Sequence, residues 1–293
     1  MIAVEVFDDR RCWLGEGPTA TGENNNHVQW VDILNGKVLS KNIETNKTSE
    51  YKMEEHVGFA IPRTNGGDVL GTANGPVLRN TEGEITKLPG RETDKVKSRW
   101  NDAKVSHTGD LFLGTLSYDL VPKASGLYRI SRDGSEIKKI ISEVTLANGL
   151  DWSVDNQTFY FIDSLEHCVD AFSYDGKEIT DRRTVIKFNE NEIPDGMCVD
   201  SEDGLWIAFW DGSEVRRYDE KYKLSERIEL PVSYTTSCVF AGKDLDQLVI
   251  TTAHNNEMAK HPQAGMTFIC NPGIKGKKTK IFEGEFSNPL ANK

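Results

Sequence analysis

The chain has 293 residues, 46 acidic against 35 basic side chains, and a formal charge of −11. That balance argues against a nucleic-acid or anionic-membrane partner, because phosphate contact needs clustered Lys and Arg, and it suits a neutral or cationic small ligand. No apolar run approaches a membrane span, and the five cysteines (Cys12, Cys168, Cys198, Cys238, Cys270) are odd in number and never spaced C-x-x-C, which leaves them as buried thiols rather than a disulfide framework or zinc knuckle.

In chain order, "MIAVEVFDDRR" has no apolar core long enough for a signal peptide, so a cytoplasmic location is expected. "WLGEGPTAT" at 13–21 follows, where Gly15, Gly17 and Pro18 forbid a helix interior and present one acid, Glu16, on a tight bend. From there one arrangement recurs: a polar or small residue, a short apolar strand, an Asp/Gly/Asn turn and a second apolar strand. It runs from Glu16 through "GPTATGENNNHVQWVD", from Gly58 through "FAIPRTNGGDVLGTA", and in "NDAKVSHTGDLFLGTL" from Asn101. It continues in "NGLDWSVDNQTFYFID" from Asn148, in "DGMCVDSEDGLWIAFW" from Asp195, and from Thr236 through "SCVFAGKDLDQLVITTA". Successive starts lie 41–47 residues apart, and the second strand begins at Leu111, Phe159 and Leu205 in the three clearest units.

After the second strand come alternating runs such as "GLYRIS", "CVDAFSY" and "EVRRYD", then turns such as "RDGSE", then runs such as "RTVIKF". About four strands therefore fit into each roughly 45-residue unit, with no helical pattern. The expectation is an all-β, six-bladed β-propeller with four antiparallel strands per blade, spanning 1–293 as one domain. The ring would close by pairing "IAVEVF" near the N-terminus with "KIFEGE" near the C-terminus.

The first strand of a propeller blade lines the axis, so residues at the same phase of each unit meet at one mouth of the channel. Glu16, Asn101, Asn148 and Asp195 share that phase. Singly, each also reads as an ordinary turn residue, Asn148 and Asp195 beside glycine; together they form an oxygen-rich cluster suited to a hard or borderline divalent cation. No H-E-x-x-H, G-x-S-x-G, Walker or EF-hand pattern is present. The six histidines show no ligand spacing, and only His254 lies where it could reach the channel mouth. Trp206 and Trp210 read as blade-packing anchors, with Trp100 adjoining the site.

At these residues the sequence resembles the regucalcin and gluconolactonase family, also called senescence-marker-protein and luciferin-regenerating-enzyme-like. The matching stretches are "LGEGP" at 14–18, "SRWND" at 98–102, "GDLFLGTL" at 109–116, "ANGLDWS" at 147–153, "FYFIDS" at 159–164 and "PDGMCVD" at 194–200. The resemblance implies one divalent metal on the axis of a six-bladed propeller, held by Glu16, Asn148 and Asp195, with Arg99 and Asn101 contacting substrate. Ca2+ is the expected ion, with Zn2+, Mg2+, Mn2+ or Fe2+ as alternatives. The family's usual chemistry is hydrolysis of sugar lactones, which would make the ion a Lewis acid at the carbonyl and Asp195 both a ligand and the general base. Arg99 and Asn101 would give the pocket a polar rim that favours sugars.

Two departures from the family pattern stand out. "TAT" follows "GEGP" where an aromatic residue is common, and "SYDL" follows "GTL" where vertebrate members place an acidic pair, leaving Asp119 as the nearest substrate-binding equivalent with Tyr118 beside it. Two other readings stay open: a calcium- or protein-binding propeller without catalysis, and a metal-dependent aryl ester or phosphotriester hydrolase.

Overall fold

The computed structural model describes residues 2–88 and 96–284. Six four-stranded antiparallel sheets form the blades of a β-propeller, and no α-helix occurs among the described residues. The innermost strands of blades 1 to 6 are Gly15–Thr21, Val57–Pro62, Ser98–Val105, Ala147–Trp152, Ile193–Val199 and Tyr234–Ala241. The next strands outward in blades 3, 4 and 5 begin at Leu111, Thr158 and Leu205, within one residue of the positions expected from the repeat. No helix is long and apolar enough to cross a membrane among the described residues.

Neighbouring blades pack through large apolar side chains that alternate with outward-facing ones. Phe112 of blade 3 is fully buried, 5.0 Å from the Trp152 ring and 5.3 Å from the Phe159 ring of blade 4. Truncating such a residue to alanine costs about 3–5 kcal/mol, because the rigid sheets around it cannot collapse into the void. All five cysteines are free and buried, as their spacing suggests.

Ring closure departs from the expectation in one half. Glu5–Asp8 does form the outermost strand of blade 6, but its partner is Thr267–Cys270, not "KIFEGE". "TFIC" has the apolar content of a blade strand, whereas the lysine-rich chain after it leaves the sheet and crosses the end of the channel opposite Glu16. Ser201 N–H donates to the Lys275 carbonyl at 2.9 Å, Lys277 Nζ donates to Asp151 Oδ1 at 3.0 Å, and Phe282 N–H donates to the Pro62 carbonyl at 3.0 Å. Phe282 is fully buried in the core shared by blades 2 and 3. The last residue of "KIFEGE", Glu285, lies outside the described residues.

Every innermost strand carries a register shift at the same height. In blades 1 to 5 two residues stand against one on the next strand: Gly17-Pro18, Gly58-Phe59, Asn101-Asp102, Asn148-Gly149 and Asp195-Gly196. In blade 6 the extra residue is Thr236. A β-bulge bends its strand and re-aims the side chains that it carries. Asn101, Asn148 and Asp195 thus share a phase, as expected, but the blade 1 equivalent is Gly17. Glu16 sits one residue earlier, still paired with Val31.

Candidate functional site

The glycines of Asn148-Gly149 and Asp195-Gly196 are not turn residues. Both lie within innermost strands where the neighbouring blade comes too close for a side chain. A Cβ on Gly149 would stand 2.7 Å from the Asp195 carbonyl oxygen, and one on Gly196 would stand 2.2 Å from Ser237 Oγ. Small residues at these points let adjacent blades approach and bring Asn148 and Asp195 together at the axis. At the sixth position Thr236 Oγ1 donates to the Gly15 carbonyl at 2.5 Å, tying blade 6 to blade 1.

Glu16, Arg99, Asn101, Asn148 and Asp195 line one cavity of about 410 Å3 at this mouth of the channel. All five are buried. The Gly17 N–H donates to Glu16 Oε2 at 3.0 Å, which turns the Glu16 carboxyl toward the axis despite its offset. There its charge acts on the Asp195 carboxyl, which lines the same cavity. Burial, with the Asp102 charge adding to it, pushes the Glu16 pKa up to about 8. Burial and the Glu16 charge raise Asp195 well above the usual carboxylate range. Asp195 Oδ1 has no hydrogen-bond partner.

The amides form a directed chain. Arg99 Nη1 donates to Asn101 Oδ1 at 2.6 Å, and Asn101 Nδ2 donates to Asn148 Oδ1 and to the Ala147 carbonyl, both at 2.8 Å. Asn148 Nδ2 then donates to Ser164 Oγ at 2.8 Å. Ser164 fixes the Asn148 amide so that its oxygen, with one lone pair left after Asn101, is the atom available to a ligand. Burial lowers the Arg99 pKa to about 10, while Tyr118, Glu16 and Asp195 oppose that shift.

The donor set fits a hard divalent cation. Two carboxylates and an amide oxygen supply anionic and neutral oxygen ligands, and a cation would both partner the free Asp195 oxygen and offset the repulsion that arises once the two acids ionise. Among the described residues no three His, Cys, Asp or Glu side chains group as a metal site. The Asn148 oxygen is the neutral donor that stands beside the two acids.

The remaining site expectations divide. Asp119 is exposed and does not line the cavity. Its neighbour Tyr118 does, with its hydroxyl 2.8 Å from His56 Nδ1. Trp206 is a blade-packing residue as expected, but half-buried Trp210 lines the cavity, its ring 4.5 Å from Tyr234. Trp100 is buried against Tyr128 in the blade core, and His254 packs edge-on to Trp13 without lining the cavity. The rim expected to be polar is apolar: above the carboxylates the walls include Leu14, Leu116, Leu146 and Ile193. Sequence reasoning missed Ser164, although it lies at the end of "FYFIDS", and it missed half-buried Asp102, whose charge helps raise the Glu16 pKa. It also missed Lys104, which donates to Asp151 Oδ2 at 2.9 Å deeper in the channel.

Residues 14–254 match the SMP-30/gluconolactonase/LRE-like region. Regucalcin of Gallus gallus is 37% identical over 300 residues, a span of 97% of this chain and 99% of that relative. Two solved structures share the fold. A calcium-binding protein, regucalcin, from Agrobacterium tumefaciens superposes with a TM-score of 0.90 at 24% identity, over 96% of this chain and 98% of that one. A gluconolactonase from Xanthomonas campestris superposes with a TM-score of 0.75 at 20% identity, over 92% of this chain and 89% of that one. The chain belongs to the SMP-30/gluconolactonase/LRE-like family.

Proposed function

We propose that this member of the family is a metal-dependent lactonase that opens a cyclic ester to its hydroxy acid, with a divalent cation held by Glu16, Asn148 and Asp195. The observation that carries the reading is the buried Glu16–Asp195 pair, with one Asp195 oxygen unpartnered, on the floor of a ligand-sized cavity. The gluconolactonase name of one structural neighbour and the calcium-binding regucalcin name of another support the reaction class and Ca2+ as the ion. When bound, such an ion supplies Lewis-acid polarisation of the ester carbonyl and lowers the pKa of water.

The protein's own groups do the rest. Asp195 takes a proton from the attacking water at the carboxyl oxygen not used for binding, a role that asks for a base poised near the working pH. The chain from Arg99 through Asn101 to Asn148 and Ser164 holds the amide ligand in one orientation, and Arg99 places positive charge beside the reacting ester. A second reading, hydrolysis of aryl esters or phosphotriesters at the same centre, draws support from the apolar walls. A binding propeller without catalysis would need the two acids but not the cavity above them.

The test is lactone hydrolysis by the parent protein and by Asp195→Asn, each with its metal content measured. The amide still offers the ion an oxygen but is a negligible base, so turnover should fall by about 10²–10⁴-fold with metal retained. Full activity in a metal-loaded variant would remove Asp195 as the base.

A further inference from the structure

The cavity changes character with height. Its floor is carboxylate, amide and guanidinium, while its mouth is ringed by leucines and Trp210. Leu34, Leu120 and Leu165 stand at one topological place in three different blades, the loop joining the second strand to the third, and Trp210 ends the second strand of blade 5. These leucines are 36%, 41% and 36% exposed, three of the eight large hydrophobic side chains most open to water among the described residues. Separate loops have thus placed apolar surface in water around a single opening, where no folding contact rewards it.

Leu120 adds a second observation. Its φ is +47°, a left-handed conformation that branched side chains rarely adopt. The loop is held there by Leu120 N–H donating to the Ser117 carbonyl at 3.0 Å and Val121 N–H donating to Ser117 Oγ at 2.7 Å. These bonds fix the turn, so the Leu120 side chain stands in one place on the rim. The two amides of the floor, meanwhile, have at most one N–H left for extra hydroxyls, which leaves Arg99 as the floor's main remaining donor. Both Asn101 N–H donors and its oxygen are engaged inside the protein, and so is the Asn148 N–H that meets Ser164.

We infer that the molecule bound here carries an apolar group, an alkyl or aryl substituent on the ester ring, which lies against Leu34, Leu120, Leu165 and Trp210 while the ring carbonyl meets the floor. The placing of the carbonyl rests on the lactonase reading; the apolar recognition does not. A polyhydroxylated sugar ring would turn its hydroxyls onto leucine and isoleucine and leave them without partners.

The test uses δ-lactams, which keep the ring and carbonyl but resist opening, in a series of alkyl substituents from methyl to hexyl, with a polyhydroxylated lactam for comparison. Binding to the full chain in Ca2+ is measured by calorimetry, and hydrolysis of the matching lactones is followed in parallel. Affinity should rise by roughly threefold to fourfold for each methylene that the leucines cover, and the polyhydroxylated lactam should bind more weakly than the hexyl one. In Leu34→Ser combined with Leu165→Ser, two positions that the fold leaves exposed, the rise per methylene should shrink. A flat series, a preference for the polyhydroxylated lactam, or an unchanged rise in the double variant overturns the inference. If the lactams bind with the expected rise and no lactone is opened, apolar recognition stands and the lactonase reading falls; lactone opening with a flat series has the opposite meaning.

Discussion

Replacing Glu16 with glutamine should stabilise the metal-free protein and destabilise the metal-bound one. The carboxyl titrates at about 8 in the folded chain against an ordinary 4.5, chiefly because it is buried and secondly because Asp102 is charged nearby. Between those two pH values the native state keeps a proton that the unfolded chain has released, so the stability of the metal-free parent falls as pH rises. At ~1.4 kcal/mol per pKa unit the penalty is on the order of a few kcal/mol and is largest once both states are ionised.

Glutamine has the same shape without the proton equilibrium. In chelator the variant should therefore match the parent below about pH 4.5 and melt progressively higher than it toward pH 8, by several degrees. In excess Ca2+ the order should reverse, since ligand binding stabilises the protein that binds it more tightly. The assay is calorimetric melting of both proteins across pH, with chelator and with Ca2+. Parallel pH profiles in chelator would refute the buried-acid account, and equal Ca2+ stabilisation of both proteins would remove Glu16 as a ligand.

Ser164→Ala leaves the Asn148 N–H without its partner, and loss of such a support typically lowers metal affinity or activity by about 10–100-fold; Ca2+ titration of the folded variant checks this. Arg99→Ala should lower kcat/KM for the lactone, because the charge beside the ester is lost, and should weaken Ca2+ binding less than Ser164→Ala does, because Asn101 still donates to the Asn148 oxygen; steady-state kinetics and the same titration check both. Lys277→Met removes a donor from Asp151, whose pKa Lys104 and then Lys277 hold below the usual range against its burial. A loss of about 1–3 kcal/mol is expected in denaturant melts, with no change in Ca2+ affinity, because Asp151 lies at the other end of the channel.

The blades were legible because each repeats a strand–turn–strand unit whose phase survives in single residues, and Asn101, Asn148 and Asp195 were aligned correctly for that reason. Glu16 was misphased by one residue. The alignment followed polarity, whereas the structure aligns bulges, and blade 1 fills its bulge with Gly17-Pro18 while Gly17 N–H turns the preceding acid inward. The C-terminal strand was misplaced because "KIFEGE", with Ile281 and Phe282 between charged residues, reads as a short strand. Only the structure shows that Phe282 finishes a core between blades 2 and 3. The apolar mouth was hidden for a different reason: Leu34, Leu120 and Leu165 are scattered singly in polar loops and meet only when the ring closes.

If the bulged inner strands assemble a metal-dependent lactonase, activity must follow the ion. The measurement strips the protein of metal, re-supplies single divalent ions, and follows acid release from a panel of hydroxylated and alkyl-substituted lactones with spontaneous opening subtracted. Stripped protein should be no faster than the blank, and one or more ions, Ca2+ first among them, should restore turnover. Turnover that persists fully in the stripped protein, or none above the blank with any ion and any lactone, would contradict a metal-dependent lactonase.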